Sequence, residues 1–264
     1  AVGEMHLETF HSVENVRRTK FELIDALPED GLAVVNMDSE HIAAKPIDHH
    51  ARLIGYGVKH HEADYRAVNI RYTPAETTFD INFRGDLREG YTTHLAGRGN
   101  ILNLLAAVAV ADHLKVSEAQ QKRAMRQIEQ IEHRLTVKRT AGGVTIIDDA
   151  YNSNPSGTKA ALEALSLFDG YKILVTPGMV ELGEKQDELN REFGRNAAAV
   201  CDYVVLVGRK QAIPIKAGLL DKKYDEDKIF VADTINEALT HVYALNSQGK
   251  KKIILLENDL PDNY

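Results

Sequence analysis

The hydrophobic and polar residues of this chain follow different patterns in its successive parts. Residues 12–27 carry apolar side chains at helical spacing and begin with Ser12, a residue type that favours helix N-caps. Residues 32–36 form a short apolar run of the kind that parallel sheets bury. Between residues 53 and 91 the pattern changes to short segments rich in β-branched and aromatic residues, which predict an antiparallel patch.

Towards the carboxyl end the pattern becomes regular. Residues 100–114 are almost wholly apolar and predict a buried helix, and residues 117–131 predict a polar helix. Beyond them, apolar strand-like runs alternate with helical segments, as is typical of a doubly wound, mainly parallel α/β domain. We therefore predict an α/β protein of two domains, residues 1–134 and residues 135–264, in which the second domain is Rossmann-like.

Composition narrows the class of protein. A chain of 264 residues with 44% hydrophobic residues can bury a sizeable core. Its net charge of −7 argues against nucleic acid as a partner, although local basic clusters could hold the phosphates of a small ligand. The single cysteine, Cys201, fits a reducing cytoplasmic setting. Because no apolar run approaches about twenty residues, we predict a cytoplasmic protein without membrane insertion.

Two groups of polar residues precede the first strand. His6 lies between Glu4 and Glu8, and this set of imidazole and carboxylate groups could reach Mg²⁺ or a phosphate-bound ion. An isolated surface histidine of this kind is, however, more often simply solvated. Arg17 and Lys20 lie three residues apart on one helix face, a spacing that by itself favours an ordinary charged surface. Neither group identifies a site on its own.

Two loops that lead into helices are further candidates. Residues 97–100, Gly-Arg-Gly-Asn, could present free N–H groups to an anion, but a glycine turn with Asn100 as an ordinary N-cap explains them equally well. Residues 148–155, Asp-Asp-Ala-Tyr-Asn-Ser-Asn-Pro, follow an apolar strand. Polar residues at the carboxyl end of a parallel strand are typical of ligand sites. Helix capping could explain Asp149 or Asn154 singly, but not so dense a set.

In this order, the segments resemble the Mur ligase family over nearly the whole chain. The most specific parts are residues 148–155 and residues 178–183, Gly-Met-Val-Glu-Leu-Gly, which are similar to the family's G-x-M-x-E-L-G segment. The resemblance implies part of a P-loop-type, ATP-binding central domain followed by a Rossmann-like C-terminal domain. The family's G-K-[ST] phosphate loop is not among these residues. With Ala1 in place of Met, we interpret the chain as a piece of a longer protein that is inactive alone.

The resemblance assigns catalytic and metal-binding roles to two residues. His6 matches the histidine that helps to hold Mg²⁺ beside the phosphates of ATP. Lys20 matches a lysine that is typically carbamoylated. A carbamate converts this cation into an anion, which could bridge to a second Mg²⁺ where an ordinary lysine would repel the ion.

The resemblance also assigns contacts with the nucleotide. Asn100 would contact adenine, in a variant of the family's GRHN motif that has Gly99 in place of histidine. Arg134 matches an arginine at the domain junction that reaches the nucleotide. The remaining predicted residues lie in the 148–155 segment: Asp149 and Tyr151 would close over ATP and the acceptor, and Asn152 and Asn154 would shape the loop.

The implied reaction is ATP-dependent amide formation through an acyl phosphate in peptidoglycan precursor synthesis. The expected substrates are a UDP-MurNAc-peptide and D-Ala-D-Ala, and the expected state is a monomer. Residues 255–261 stand where a K-G-S-R-like ending is usual, which keeps open another amine substrate and a polyglutamate-like or lipid-linked acceptor. A nucleotide-binding module without catalytic activity is the third alternative.

Overall fold

The computed structural model describes residues 2–43, 51–73, 76–140, 142–151, 153–210 and 212–259. These residues form two compact units. The first comprises Ala1–Gly3 and Phe10–Gln130, and the second comprises Glu4–Thr9 and Ile131–Tyr264. The short segment around His6 thus groups with the carboxyl-terminal unit, whereas the predicted boundary at Arg134 assigns it to the first domain. No helix of the described residues is long and apolar enough to cross a bilayer.

The first unit is built on a mixed five-stranded sheet of order β1-β2-β3-β4-β5. Strands β1 to β3 run parallel, and β3, β4 and β5 pair antiparallel, so the predicted antiparallel patch is present. The strands are β1 (Leu32–Asn36), β2 (Arg52–Gly57), β3 (Tyr65–Tyr72), β4 (Thr77–Phe83) and β5 (Asp86–Thr93). The helices placed before and among them are α1 (Leu7–Phe10), whose first residues belong to the second unit, α2 (Val13–Asp25) and α3 (Glu40–Ala43).

Two helices follow this sheet. Helix α4 (Arg98–His113) buries Ile101 and Leu105 against the sheet residues Phe79 and Tyr91, which explains why its sequence is so apolar. Helix α5 (Glu118–Met125) begins with a capping box at Ser117. It is shorter than the predicted polar helix of residues 117–131. The reason is that residues 126–129 are all exposed, so no burial stabilises a further turn.

The second unit contains a six-stranded sheet of order β10-β9-β8-β11-β7-β6. All neighbouring strands are parallel except β6, which runs antiparallel to β7. The strands are β6 (Thr136–Arg139), β7 (Thr145–Asp149), β8 (Tyr171–Thr176), β9 (Tyr203–Val207), β10 (Ile229–Ala232) and β11 (Lys252–Glu257). This is the mainly parallel sheet that the alternating pattern predicts.

Helices cover both faces of this sheet. They are α6 (Pro155–Ser166), α7 (Gln186–Ala197), α8 (Ala212–Asp221) and α9 (Ile235–Ala244), with 3₁₀ turns at Gly183–Lys185 and Glu226–Lys228. Leu174 packs with α6, α7 and α8 on one face, and its neighbours Ile173 and Val175 pack with α9 on the other. Both sides of each central strand are therefore buried, and the strands read as continuous apolar runs.

The crossing of α7 and α8 depends on two glycines. A Cβ atom on Gly218 would lie 1.9 Å from the carbonyl oxygen of Arg191, and one on Gly194 would lie 2.1 Å from the carbonyl oxygen of Ile215. Both distances are far below van der Waals contact. The two helix backbones can approach this closely only because neither glycine carries a side chain.

Candidate functional site

A pocket of about 300 Å³ opens at the carboxyl edge of the second unit's sheet. Its position follows from the topology: β8, β11 and β7 are parallel neighbours, so the loops that follow them meet at one edge. Because β6 is antiparallel to β7, the residues before β6 reach the same edge. The lining residues all belong to the second unit and are Met5, His6, Arg134, Tyr151, Ser153, Asn154, Val180, Glu181 and Leu182.

The loop between β7 and α6 contributes three lining residues. Its last residue, Asn154, is the N-cap of α6, because its Oδ1 accepts hydrogen bonds from the N–H groups of Ser156 (3.1 Å) and Gly157 (3.0 Å). Pro155 then occupies the first helical turn, where its missing N–H is not needed. Asn154 therefore has a structural role in addition to its place in the pocket wall.

Arg134 and Tyr151 form one wall of the pocket together. The guanidinium carbon of Arg134 lies 4.1 Å from the centroid of the Tyr151 ring, in cation–π geometry. The Tyr151 side chain is 61% exposed, so the pair is open to a ligand from solvent. A guanidinium group presents its N–H groups in the planar arrangement that suits phosphate.

The two aspartates at the end of β7 have different environments. Asp149 accepts a hydrogen bond from the N–H of Leu135 (3.0 Å). Burial raises the pKa of its carboxyl, although that hydrogen bond and the charge of Arg134 oppose the shift. Burial also disfavours the charge of Asp148, but hydrogen bonds from His133 and Lys138 hold its pKa below the ordinary value. Asp148 is thus a structural ion-pair partner.

Across the pocket, His6 and Glu181 make a direct contact. The His6 Nδ1 and Glu181 Oε2 atoms are 2.7 Å apart, and the side chains are 49% and 36% exposed. Both residues have left-handed backbone conformations, with φ of 50° and 61°. Such conformations are costly for residues other than glycine and are concentrated at functional sites. Glu181, which the sequence analysis named only within a motif, also lines the pocket and is therefore a further candidate for the site.

A buried asparagine orders the loop that carries Glu181. Asn190 on α7 is 0% exposed. Its Oδ1 accepts from the N–H of Met179, and its Nδ2 donates to the carbonyl oxygens of Met179 and Gln186, all within 3.0 Å. Because both the oxygen and the nitrogen of the side-chain amide have hydrogen-bond partners, Asn190 fixes the backbone of the loop at Met179.

Two other predicted site residues belong to the first unit. Lys20 is on the exposed side of α2 in the first unit. Asn100, also in the first unit, lies within the first turn of α4 and donates from Nδ2 to the carbonyl oxygen of Ala96 (2.8 Å). Gly97, with φ of 85°, is the N-cap in its place. Asn152 lies outside the described residues. Four predicted residues thus line one pocket: His6, Arg134, Tyr151 and Asn154.

The His6–Glu181 pair is the part of the pocket that bears on binding of a divalent cation. Among the described residues no group of three or more histidine, cysteine, aspartate or glutamate side chains could hold a metal. A carboxylate on one nitrogen of a metal-binding histidine is nevertheless a recurrent arrangement, because it orients the ring and leaves the other nitrogen to the metal. The His6–Glu181 pair fits that arrangement. Mg²⁺ completes its shell with water and ligand phosphates, so it does not need an all-protein cage.

Two family models match this chain in succession. The Mur ligase middle domain matches residues 1–111. The Mur ligase glutamate ligase domain matches residues 133–256. The pocket residues Arg134, Tyr151 and Glu181 all fall within the second match.

Two of the similar curated proteins and one solved structure show how much of the chain is matched. The UDP-N-acetylmuramoyl-tripeptide–D-alanyl-D-alanine ligase of Haemophilus influenzae is 30% identical over 97% of this chain and 54% of its own length. The Escherichia coli enzyme of the same name is 29% identical, over 96% and 56%. A crystal structure of MurF from Acinetobacter baumannii is 25% identical, with a TM-score of 0.82 over 98% of this chain and 55% of that chain. The chain therefore spans about half the length of these relatives.

The MurF ligase from Thermotoga maritima, in complex with ADP, shares the fold as well. Its TM-score is 0.81 at 24% identity, over 98% of this chain and 57% of that chain. The predicted α/β architecture is thereby confirmed. Because both family models match in order and together account for most of its residues, the chain belongs to the Mur ligase family.

Proposed function

We propose that this chain is part of an ATP-dependent amide ligase that adds D-alanyl-D-alanine to a UDP-N-acetylmuramoyl peptide in peptidoglycan precursor synthesis. The observation that supports this proposal is the match, over nearly the whole chain, to two UDP-N-acetylmuramoyl-tripeptide–D-alanyl-D-alanine ligases. The full reaction is proposed for a protein that also supplies the phosphate-cradling glycine loop, so we expect this chain alone to be inactive. A cytoplasmic monomer is part of the same proposal.

In this proposal the bound nucleotide is ATP, and each predicted nucleotide contact keeps its own role. ADP is bound in the Thermotoga maritima relative. Arg134, whose guanidinium carbon lies 4.1 Å from the centroid of the Tyr151 ring, would bind nucleotide phosphates. Asp149, at the end of β7, is close enough to Arg134 for its charge to lower the pKa of the carboxyl. Asn100 would contact adenine. The loop positions of Asn152 and Asn154 would shape the nucleotide-facing surface.

The metal would be Mg²⁺, held by His6 through the ring nitrogen that Glu181 leaves free. Lys20, as its carbamate, would bridge to a second Mg²⁺. Bound there, Mg²⁺ would offset the charge on the transferring phosphoryl group. In the reaction, an oxygen of the substrate carboxylate attacks the γ-phosphorus of ATP, and ADP leaves. The amine of the second substrate then attacks the acyl carbon, and phosphate leaves with the formation of an amide. Arg134 would stabilise the phosphoryl charge in the first step.

The test uses the full-length protein that carries this sequence. It should release phosphate from ATP only when both a UDP-MurNAc-tripeptide and D-Ala-D-Ala are present, and mass spectrometry should find the joined pentapeptide. Arg134→Ala should lower kcat/KM by at least about tenfold. Arg139→Ala, an exposed arginine at the other end of β6, is the matched control. The proposal would be refuted if phosphate were released when one of the two substrates is missing, or if none were released when both are present.

One observation favours a second candidate, a Mur-type ligase with a different amine. Residues 255–261 occupy the place of the basic K-G-S-R-like ending. Without those basic groups, this region would not select its amine substrate through the same charges. A panel of amino acids and dipeptides in the same assay decides between the two. Turnover with another amine supports the second candidate, and nucleotide binding without turnover in any mixture indicates a non-catalytic module.

A further inference from the structure

Glu257 is a fully buried acid at the point where the pocket loops begin. It is the last residue of β11 and is 0% exposed. The hydroxyl of Ser153 donates a hydrogen bond to its Oε1, and the hydroxyl of Thr176 donates one to its Oε2 at 3.1 Å. Ser153 lies in the loop after β7, and Thr176 ends β8. One carboxyl group therefore joins the strands on both sides of β11.

The next residue extends this connection. Asn258 has a left-handed backbone, with φ of 65°, and is 6% exposed. Its N–H donates to the carbonyl oxygen of Asp149 (3.3 Å), and its Nδ2 donates to the carbonyl oxygen of Gly178 (2.5 Å). The Gly178 N–H in turn donates to Thr176 Oγ1 (3.0 Å). The end of β11 is thus bonded to the loop after β7 and to the loop after β8, both of which line the pocket.

We propose that Glu257 and Asn258 are positioning residues for the pocket: they hold the loop after β7 and the loop after β8 in ligand-binding shape. Neither residue lines the pocket itself, so their effect on a ligand would pass through Ser153 and Glu181. The ligand's identity as a nucleotide rests on the proposed function, whereas the positioning role does not.

The electrostatics around Glu257 support the neutral form. Burial raises the pKa of its carboxyl to about 8, the hydrogen bond from Ser153 opposes the shift, and the charge of Asp149 adds to it. Thr176, on β8, offers only a hydroxyl group, which also opposes the shift. Around Asp149 stand Arg134 and Asp148. A second carboxylate beside Asp149 would add negative charge where an anionic ligand is expected to bind.

The test compares hydrogen exchange of the two loops in the wild-type chain, Glu257→Gln and Glu257→Leu. Protection factors, which remove the intrinsic pH dependence of exchange, are measured at pH 6.5 and pH 9. At pH 6.5 Gln should retain the protection, because its amide can bond both hydroxyls, and Leu should lose about tenfold in both loops but not in α9. Between the two pH values the wild type should lose more protection than Gln does. Glu188→Gln, an exposed acid on α7, is the matched control.

Full protection of both loops in Glu257→Leu would overturn the positioning role, and an equal loss with pH in wild type and Gln would overturn the role of the neutral acid. ADP affinity, measured by calorimetry on the full-length protein, separates this inference from the proposed function. Loosened loops with weakened ADP binding support both. Loosened loops with unchanged ADP affinity leave the positioning role intact and contradict the nucleotide's use of this pocket.

Discussion

The guanidinium group of Arg134 lies over the ring of Tyr151, 4.1 Å from its centroid, although 17 positions separate the two residues in the chain. If this contact prepares Arg134 for nucleotide phosphates, Tyr151→Phe should bind ADP as the wild type does. Tyr151→Leu should bind ADP about two- to fivefold more weakly, since the ring supplies the cation–π attraction. Calorimetry on the full-length protein measures both affinities. Equal binding by wild type and Leu would show that the stacking has no role.

The His6–Glu181 contact predicts an effect on divalent cations. Glu181→Ala removes the carboxylate that orients the imidazole, so we expect Mn²⁺ binding in the presence of ADP to weaken about tenfold. Electron paramagnetic resonance of free Mn²⁺ reports the affinity without any turnover. Glu188→Ala provides the control on a nearby exposed surface. Unchanged Mn²⁺ affinity in Glu181→Ala would rule out the pair as a metal-binding element.

The α7–α8 crossing predicts a large loss of stability from one methyl group. Gly218→Ala places a Cβ on the Arg191 carbonyl, and since the backbones must separate, we expect about 3 kcal/mol less free energy of unfolding. Gly157→Ala is the control in the same unit, because its Cβ would meet nothing closer than 3.7 Å. Urea denaturation followed by circular dichroism measures both. A stable Gly218→Ala protein would contradict the described crossing.

The buried acid predicts how the second unit's stability changes with pH. The pKa of Glu257 is raised in the folded state from its ordinary value of 4.5 to about 8, so between these values the folded chain binds more protons than the unfolded chain. The stabilising effect is complete below pH 4.5 and is lost as the pH rises through about 8. Chemical denaturation at pH 6 and pH 9 should show lower stability at pH 9.

In Glu257→Gln this decrease in stability should be smaller but still present, because the raised pKa of Asp149 acts in the same direction. Asp149→Asn combined with Glu257→Gln should reduce it further. An equal decrease in the wild type and Glu257→Gln would show that Glu257 is ionised in the folded protein throughout this range.

Local sequence predicted much of the second unit. The runs at β7, β8, β9 and β11 are continuous and apolar because both faces of each strand are buried, and the predicted helical segments between them correspond to α6, α7 and α9, whereas α8 was not predicted. Strands β6 and β10 were not predicted, since each has only four residues and one buried side chain. Such a short strand is stabilised by its neighbour in the sheet and leaves no periodic pattern of its own.

The chain's sequence alone determined its family, its α/β alternation and the polar segment at residues 148–155, because these depend on neighbouring residues and on motif identity. Only the tertiary structure decided which distant side chains meet. His6 contacts Glu181 across 175 positions, and Ser153 contacts Glu257 across 104. The physical reason for the second contact is the strand order: β11, the last strand, inserts between β7 and β8, and this long-range pairing brings a carboxyl-terminal acid beneath the pocket loops.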